Sequence, residues 1–279
     1  MIIDFHTHTF PDKIADAAVS KLKAASNSPS FSDGTVSGLV SSMKKAGIDL
    51  SVVLPVATNP LKVSKINEGS AQMSGKDSLI YFGCIHPDCE DIKKEMKYIA
   101  DLGLRGVKIH PVYQNTDIDD RKNLEILYAA GELDLIVVTH AGDDIGFPGV
   151  VRCSPKMIRN ALRSVGGVKF VLAHMGSWNN WEEVPEYLSD TGVYIDTAFS
   201  LGKITPIDDA SFTNWKKELL SDDEFTALSE AMGYDKVLFG SDSPWTDQAE
   251  SVALIKNLPI SEEKKNAILG GNAARLLGL

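Results

Sequence analysis

The chain has 279 residues, 43% hydrophobic and 24% charged, which excludes disordered, fibrous and collagen-like classes. The net charge of -10 comes with no long basic run, so nucleic acid is not an expected partner, because phosphate contacts need clustered Lys and Arg. No apolar run reaches the roughly 18–20 residues of a membrane helix, so no membrane association is expected.

Short apolar runs alternate with longer amphipathic stretches. The runs are Ile2 to Phe5, Ser51 to Leu54, Leu79 to Ile85 and Gly106 to Ile109. They continue with Leu135 to Thr139, Lys169 to Ala173, Val193 to Asp196 and Lys236 to Gly240. All are β-branched and nearly uniformly apolar, as strands buried on both faces of a parallel sheet read. Between them the spacing predicts helices over 36–46, 62–75, 90–102, 121–131, 154–165, 181–189 and 221–232, with more after 249. Gly47, Gly103 and Gly131 stand where a left-handed C-cap is expected. Eight strands alternating with helices over about 250 residues predict an α/β fold, a distorted (β/α)8 TIM barrel, as one domain spanning 1–279. An open doubly wound sheet is the alternative, but no GxGxxG follows any run. The stretch from Ala198 to Trp215 is too long for a minimal connection and is expected to be a lid or insertion.

The first run opens at Ile2, which leaves no room for a leader ahead of it. Cys84, Cys89 and Cys153 cannot all pair, and none makes a CxxC motif. A reduced, cytoplasmic protein is therefore expected.

All six histidines, His6, His8, His86, His110, His140 and His174, fall at the C-terminal ends of predicted strands. In a (β/α)8 barrel those ends form the catalytic face. In an extended strand His6 and His8 point the same way, about 7 Å apart along the strand, and two imidazoles can converge on one metal ion. His140 and His174 come from the fifth and sixth strands. Asp242 follows the eighth, which neighbours the first in a closed barrel. The remaining polar candidates divide: His86 suits a loop-fixing role, and Asp4 either supports a ligand imidazole or makes an unrelated buried contact. Trp178, Trp181, Trp245, Tyr113 and Phe147 either wall the substrate site or pack locally.

The pattern resembles the amidohydrolase superfamily, and within it the amidohydrolase-2 branch of metal-dependent hydrolases and related non-oxidative decarboxylases. The resemblance rests on Asp4-Phe5-His6-Thr7-His8, Gly106 to Pro111, Thr139-His140-Ala141-Gly142, Ala173-His174-Met175-Gly176, Gly240 to Trp245, and the ending Gly270 to Leu277. It implies that His6, His8, His140 and Asp242 bind one divalent metal ion, zinc being expected. It further implies that His174 orients or deprotonates a bound water, a proton role Asp242 can share. His110 and Trp245 are then expected to contact a small-molecule substrate. Lys108, two residues deeper than His110, stands near where two-metal relatives place a bridging lysine; a single metal is expected here.

The implied reaction is hydrolysis of an amide, lactone or ester bond in a small carboxylated molecule. The alternatives are decarboxylation of an aromatic or muconate-type acid and a non-catalytic metal-binding barrel. An arginine placed to hold a departing carboxylate would favour decarboxylation, and Arg152 is the nearest one. A homo-oligomer is implied by analogy only.

Overall fold

The computed structural model describes residues 1–279. In chain order the first elements are β1 (Ile3–Thr7), α1 (Asp12–Ser26), α2 (Val36–Ala46), β2 (Leu50–Val53), α3 (Val63–Met73), β3 (Leu79–Tyr81) and β4 (Gly83–Cys84). There follow α4 (Ile92–Asp101), β5 (Gly106–Ile109), α5 (Arg121–Glu132), β6 (Ile136–Thr139), α6 (Pro155–Val165), β7 (Lys169–Leu172), α7 (Val184–Leu188) and β8 (Tyr194–Asp196). The chain ends with α8 (Asp222–Met232), β9 (Val237–Leu238), α9 (Gln248–Asn257), α10 (Glu262–Asn266) and α11 (Asn272–Leu277). No helix is long and apolar enough to cross a membrane.

Every strand pairing is parallel, in the orders β1-β2-β3 and β4 through β9. The predicted third strand is thus two short pieces, β3 and β4, interrupted at Phe82. The Phe82 N–H still donates to Val53 O at 3.0 Å, an ordinary ladder bond. At the other seam Phe5 N–H donates to Phe239 O at 2.8 Å, Asp242 N–H to His6 O at 2.8 Å, and His8 N–H to Ser243 O at 2.7 Å. These bonds join the first strand to the last, as an eight-stranded α/β barrel requires. They also place Asp242 beside His6 through the backbone alone.

Apolar side chains from the outer faces of the strands and the inner faces of the helices form the main core. A second cluster gathers Phe5, Val52, Leu54, Phe82, Val138, Val171 and Leu238 with Leu276 and Leu277 of α11. Arg105 is tied to this α11 end by a bond from Nη1 to Leu277 O at 2.5 Å, away from the histidines.

The helices agree with the spacing to within a few residues, with two differences. Helix α1 has no predicted counterpart. It starts at Pro11 without a side-chain cap and buries only Ala15 and Val19, so its apolar stripe is thin. Gly131 lies inside α5 instead of capping it. A Cβ there would stand 2.5 Å from Gly167 O, so close packing, and not a left-handed turn, requires the glycine.

The long connection after β8 carries no helix. Its ends pair loosely, Leu201 with Leu220 and Lys203 with Glu218. Trp178, Ile204 and Phe212 form a small core of their own beneath it, with Phe199 and Trp215 packed against them. Trp215 Nε1 donates to Ile145 O at 3.2 Å, and Asn27 Nδ2 donates to Asp208 O at 2.7 Å. The segment is therefore anchored to both the loop after β6 and the end of α1.

Candidate active site

Each site histidine has one ring nitrogen committed to a fixed acceptor, which sets its tautomer. His6 Nδ1 faces Asp196 Oδ2 at 2.8 Å, His8 Nδ1 faces Leu54 O at 2.8 Å, and His174 Nδ1 faces Ala198 O at 2.9 Å. His140 uses its other nitrogen, Nε2, toward Asp143 O at 2.9 Å. A carbonyl or carboxylate oxygen only accepts, so each of these nitrogens carries the hydrogen. The remaining nitrogens, His6 Nε2, His8 Nε2, His174 Nε2 and His140 Nδ1, keep bare lone pairs.

Those lone pairs point at one another. His6 Nε2 and His8 Nε2 are 3.2 Å apart, and His174 Nε2 and His140 Nδ1 are 3.0 Å apart. Asp242 Oδ1 lies 3.2 Å from His8 Nε2 and 3.5 Å from His6 Nε2. Facing lone pairs repel unless a cation lies between them. Imidazole nitrogens with one carboxylate oxygen are a donor set that suits a divalent transition ion. The ligand atoms of His6, His8 and Asp242 lie within 4.8 Å of one another, whereas His140 groups by the same measure with His110 and Asp144. His140 reaches the first group through His174.

The backbone aims these groups. The pairing register of β1 shifts between Asp4 and Thr7, so the strand is irregular where His6 and His8 converge. His174, Met175 and Asp242 all have positive φ, at 60°, 54° and 66°. Asp and His tolerate this region better than most residues, and here it turns both side chains back over the barrel mouth. Gly240 must lack a Cβ, since one would stand 2.8 Å from His6 Cβ. Trp181 Nε1 donates to His174 O at 2.9 Å, so this tryptophan braces the turn.

Burial sets the electrostatics. It holds His6, His110, His140 and His174 below the usual imidazole range. Burial also pushes Asp242 up, but the surrounding His8, His6 and His174 rings outweigh it and hold the carboxyl well below the usual range. Lys108 Nζ lies 3.4 Å from His6 Nε2, and burial pulls it down to about 8 against the pull of Asp196 and Asp242.

The other expected residues divide. His110 stacks on Tyr113 at 3.8 Å and on His140 at 4.3 Å, with Nε2 at 3.4 Å from Asp144 Oδ2. Trp245 is half-buried and bonded through its backbone N–H to Asp242 O at 2.9 Å. His86 accepts the Asp88 N–H at 3.1 Å and fixes its loop. Asp4 accepts from the Ser241 N–H at 2.9 Å, from Ser241 Oγ and from Gln248, so it ties β1 to the loop after β9 and touches no ligand imidazole. Arg152 donates to Asp117 and Asn115 and to none of the histidine cluster.

Two residues have no place in the sequence reading. Asp196 holds His6 and also accepts the His174 N–H at 3.0 Å. Asp144 is buried beside His110. The cue for Asp196 was available, since an acidic residue ending an apolar run is the same signal that marks Asp242. Asp144 sits in a loop, where no periodicity marks it.

The amidohydrolase family model matches residues 3–279. Among solved structures, an uncharacterized TIM-barrel protein from Bordetella bronchiseptica aligns with TM-score 0.75 at 19% identity, over 99% of this chain and 98% of that one. The 5-carboxyvanillate decarboxylase from Sphingomonas paucimobilis aligns with TM-score 0.71 at 17% identity, over 100% and 99%. The 5-carboxyvanillate decarboxylase from Novosphingobium aromaticivorans, complexed with manganese and 4-hydroxy-3-methoxy-5-nitrobenzoic acid, aligns with TM-score 0.70 at 16% identity, over 100% and 96%. A comparison with the curated proteins finds no match. The chain belongs to the amidohydrolase family, on a TIM-barrel fold.

Proposed function

We propose that this protein is a metal-dependent, non-oxidative decarboxylase of a small aromatic acid. The observation that carries the reading is the set of bare nitrogens on His6, His8, His140 and His174 facing one another beside Asp242 Oδ1. The full-length likeness to two 5-carboxyvanillate decarboxylases supports the choice of reaction.

In this reading His6, His8, His140 and Asp242 hold one divalent ion, zinc or manganese. When bound, the ion supplies a fixed positive charge that anchors the substrate's oxygen anions. Asp196 and the Leu54 carbonyl hold His6 and His8 in the orientation that presents Nε2. His174 Nε2 takes the proton of a substrate hydroxyl and delivers it to the ring carbon. The bond from that carbon to the carboxylate breaks, its electron pair stays on the ring carbon, and CO2 leaves. Solvent then restores the hydroxyl proton. Burial of the site keeps bulk water from competing for these groups.

Hydrolysis is the second reading, and it rests on the same bare His174 Nε2, which equally suits taking a proton from water. The commitment of Arg152 to Asp117 leaves it unable to hold a departing carboxylate, so the decarboxylase reading depends on the ion and not on an arginine. Metal-loaded protein offered hydroxybenzoates alongside lactones and amides separates the two. CO2 release from an aromatic acid supports the proposal; ring opening or amide cleavage with no CO2 overturns it.

A further inference from the structure

Behind His140, on the loop joining β6 to α6, lies a carboxylate whose hydrogen bonding is incomplete. Asp144 is only 5% exposed. Its Oδ1 accepts the Gly146 N–H at 2.8 Å. Its Oδ2 accepts no hydrogen bond from the protein and has only longer contacts, 3.4 Å to His110 Nε2 and 3.9 Å to His140 Nε2. Both ring N–H groups stand too far off for a good hydrogen bond to this oxygen, and a closer donor on a ligand would satisfy it better.

His110, His140 and Asp144 have the residue types of a second cation site. The tautomers argue otherwise. His140 donates its Nε2–H to Asp143 O, and His110 accepts the Tyr113 N–H at Nδ1, which leaves the hydrogen on Nε2. Neither ring turns a lone pair toward Asp144, so the group does not suit a metal, and the acceptor it presents to a ligand is Asp144 Oδ2. Beside it, Tyr113 stacked on His110 and Phe147 at 5.4 Å from Tyr113 form an apolar wall for a flat ring.

We propose that Asp144 is the specificity-determining residue: its Oδ2 takes a hydroxyl hydrogen from an aromatic acid whose carboxylate faces His6, His8 and Asp242. This rests on the aromatic-acid reading above and narrows it. The favoured ligand carries one carboxylate and a neutral donor. A second carboxylate on the ring meets the like charge of Asp144 and is rejected.

The test is calorimetric binding of benzoate, its 2-, 3- and 4-hydroxy derivatives and isophthalate to metal-loaded wild type, Asp144→Asn and Asp144→Ala. The best hydroxybenzoate should bind wild type roughly tenfold more tightly than benzoate, the worth of a charge-assisted hydrogen bond. Isophthalate should bind more weakly than benzoate. In Asp144→Ala the hydroxyl preference should fall below about threefold, with Asp144→Asn, which keeps an acceptor oxygen, in between. Should Asp144→Ala fail to fold, a loss of preference of at least about threefold in Asp144→Asn carries the test. A preference that survives these changes, or benzoate binding with no preference in wild type, overturns the role of Asp144 alone. Absence of binding by every benzoate overturns the aromatic-acid reading and this assignment with it.

Discussion

Asp196 holds His6 by its ring, with Oδ2 at 2.8 Å from Nδ1, while its other oxygen accepts the backbone N–H of His174 at 3.0 Å. One buried carboxylate thus fixes the tautomer of one histidine and the position of another. Carboxylates in this role typically contribute 10–100-fold to metal affinity or activity. Asp196→Asn should weaken metal binding by roughly that factor, read by competition with a chelator. An unchanged affinity would show that His6 needs no such support.

His174 differs from the proposed ligands in its expected effect. His174→Asn should keep the metal and lower the rate by roughly 10²–10⁴, as removal of a general acid or base does. Metal content and turnover measured on one preparation decide it. Loss of metal would make His174 a ligand, and full activity would remove it from the chemistry.

Much of this centre was legible in the sequence because its signals are local. His6-Thr7-His8 alternates as a strand demands, and each later histidine ends an apolar run. Asp242 beside strand one followed from barrel closure, and the Asp242 N–H to His6 O bond is that closure. What stayed hidden depends on contacts distant in sequence. Asp196 meets His6 from 190 positions away, and Asp144 meets His110 across two loops. The carbonyls of Leu54 and Ala198 that set two tautomers carry no side-chain signal at all. Gly131 misled for a related reason: a glycine needed for contact with Gly167 reads like a helix cap when only the local chain is considered.

The histidine cluster should also make the metal-free protein acid-sensitive. Burial depresses His6, His110, His140 and His174 below their ordinary value of 6.5. The unfolded chain then takes up protons first, so each ring's contribution is complete above 6.5 and is lost as pH falls toward its folded value. The slope is up to about 1.4 kcal/mol per pH unit for each ring. Asp4 and Asp144, pushed up to about 6 by burial, act in the opposite sense: their contribution is complete below 3.8 and is lost as pH rises through about 6. Burial also lowers His86 and raises Asp196, so five rings stand against three carboxyls and acid destabilisation stays dominant. Urea midpoints of the metal-free protein should fall from pH 7.5 to 5.5, and a rise over that interval would contradict this balance.

Gly142 is expected to be intolerant of any side chain. Its φ is +87°, and a Cβ would stand 2.2 Å from Trp178 N and 2.4 Å from Trp178 O. Those are backbone atoms on a neighbouring loop, so nothing nearby can rotate away. Gly142→Ala should cost about 2–4 kcal/mol, combining left-handed strain with displacement of the Trp178 bridge. Chemical denaturation of the variant checks it, and a loss under about 0.5 kcal/mol would mean the two loops part freely.

The claim on which the rest depends is one metal ion held by His6, His8, His140 and Asp242. Elemental analysis of the purified, metal-reconstituted protein and of its His8→Ala, His140→Ala and Asp242→Ala variants tests it most directly. The account predicts one ion per chain in the wild type and its loss in each variant. Two tightly held ions per chain, or a full complement retained without His140, would contradict it.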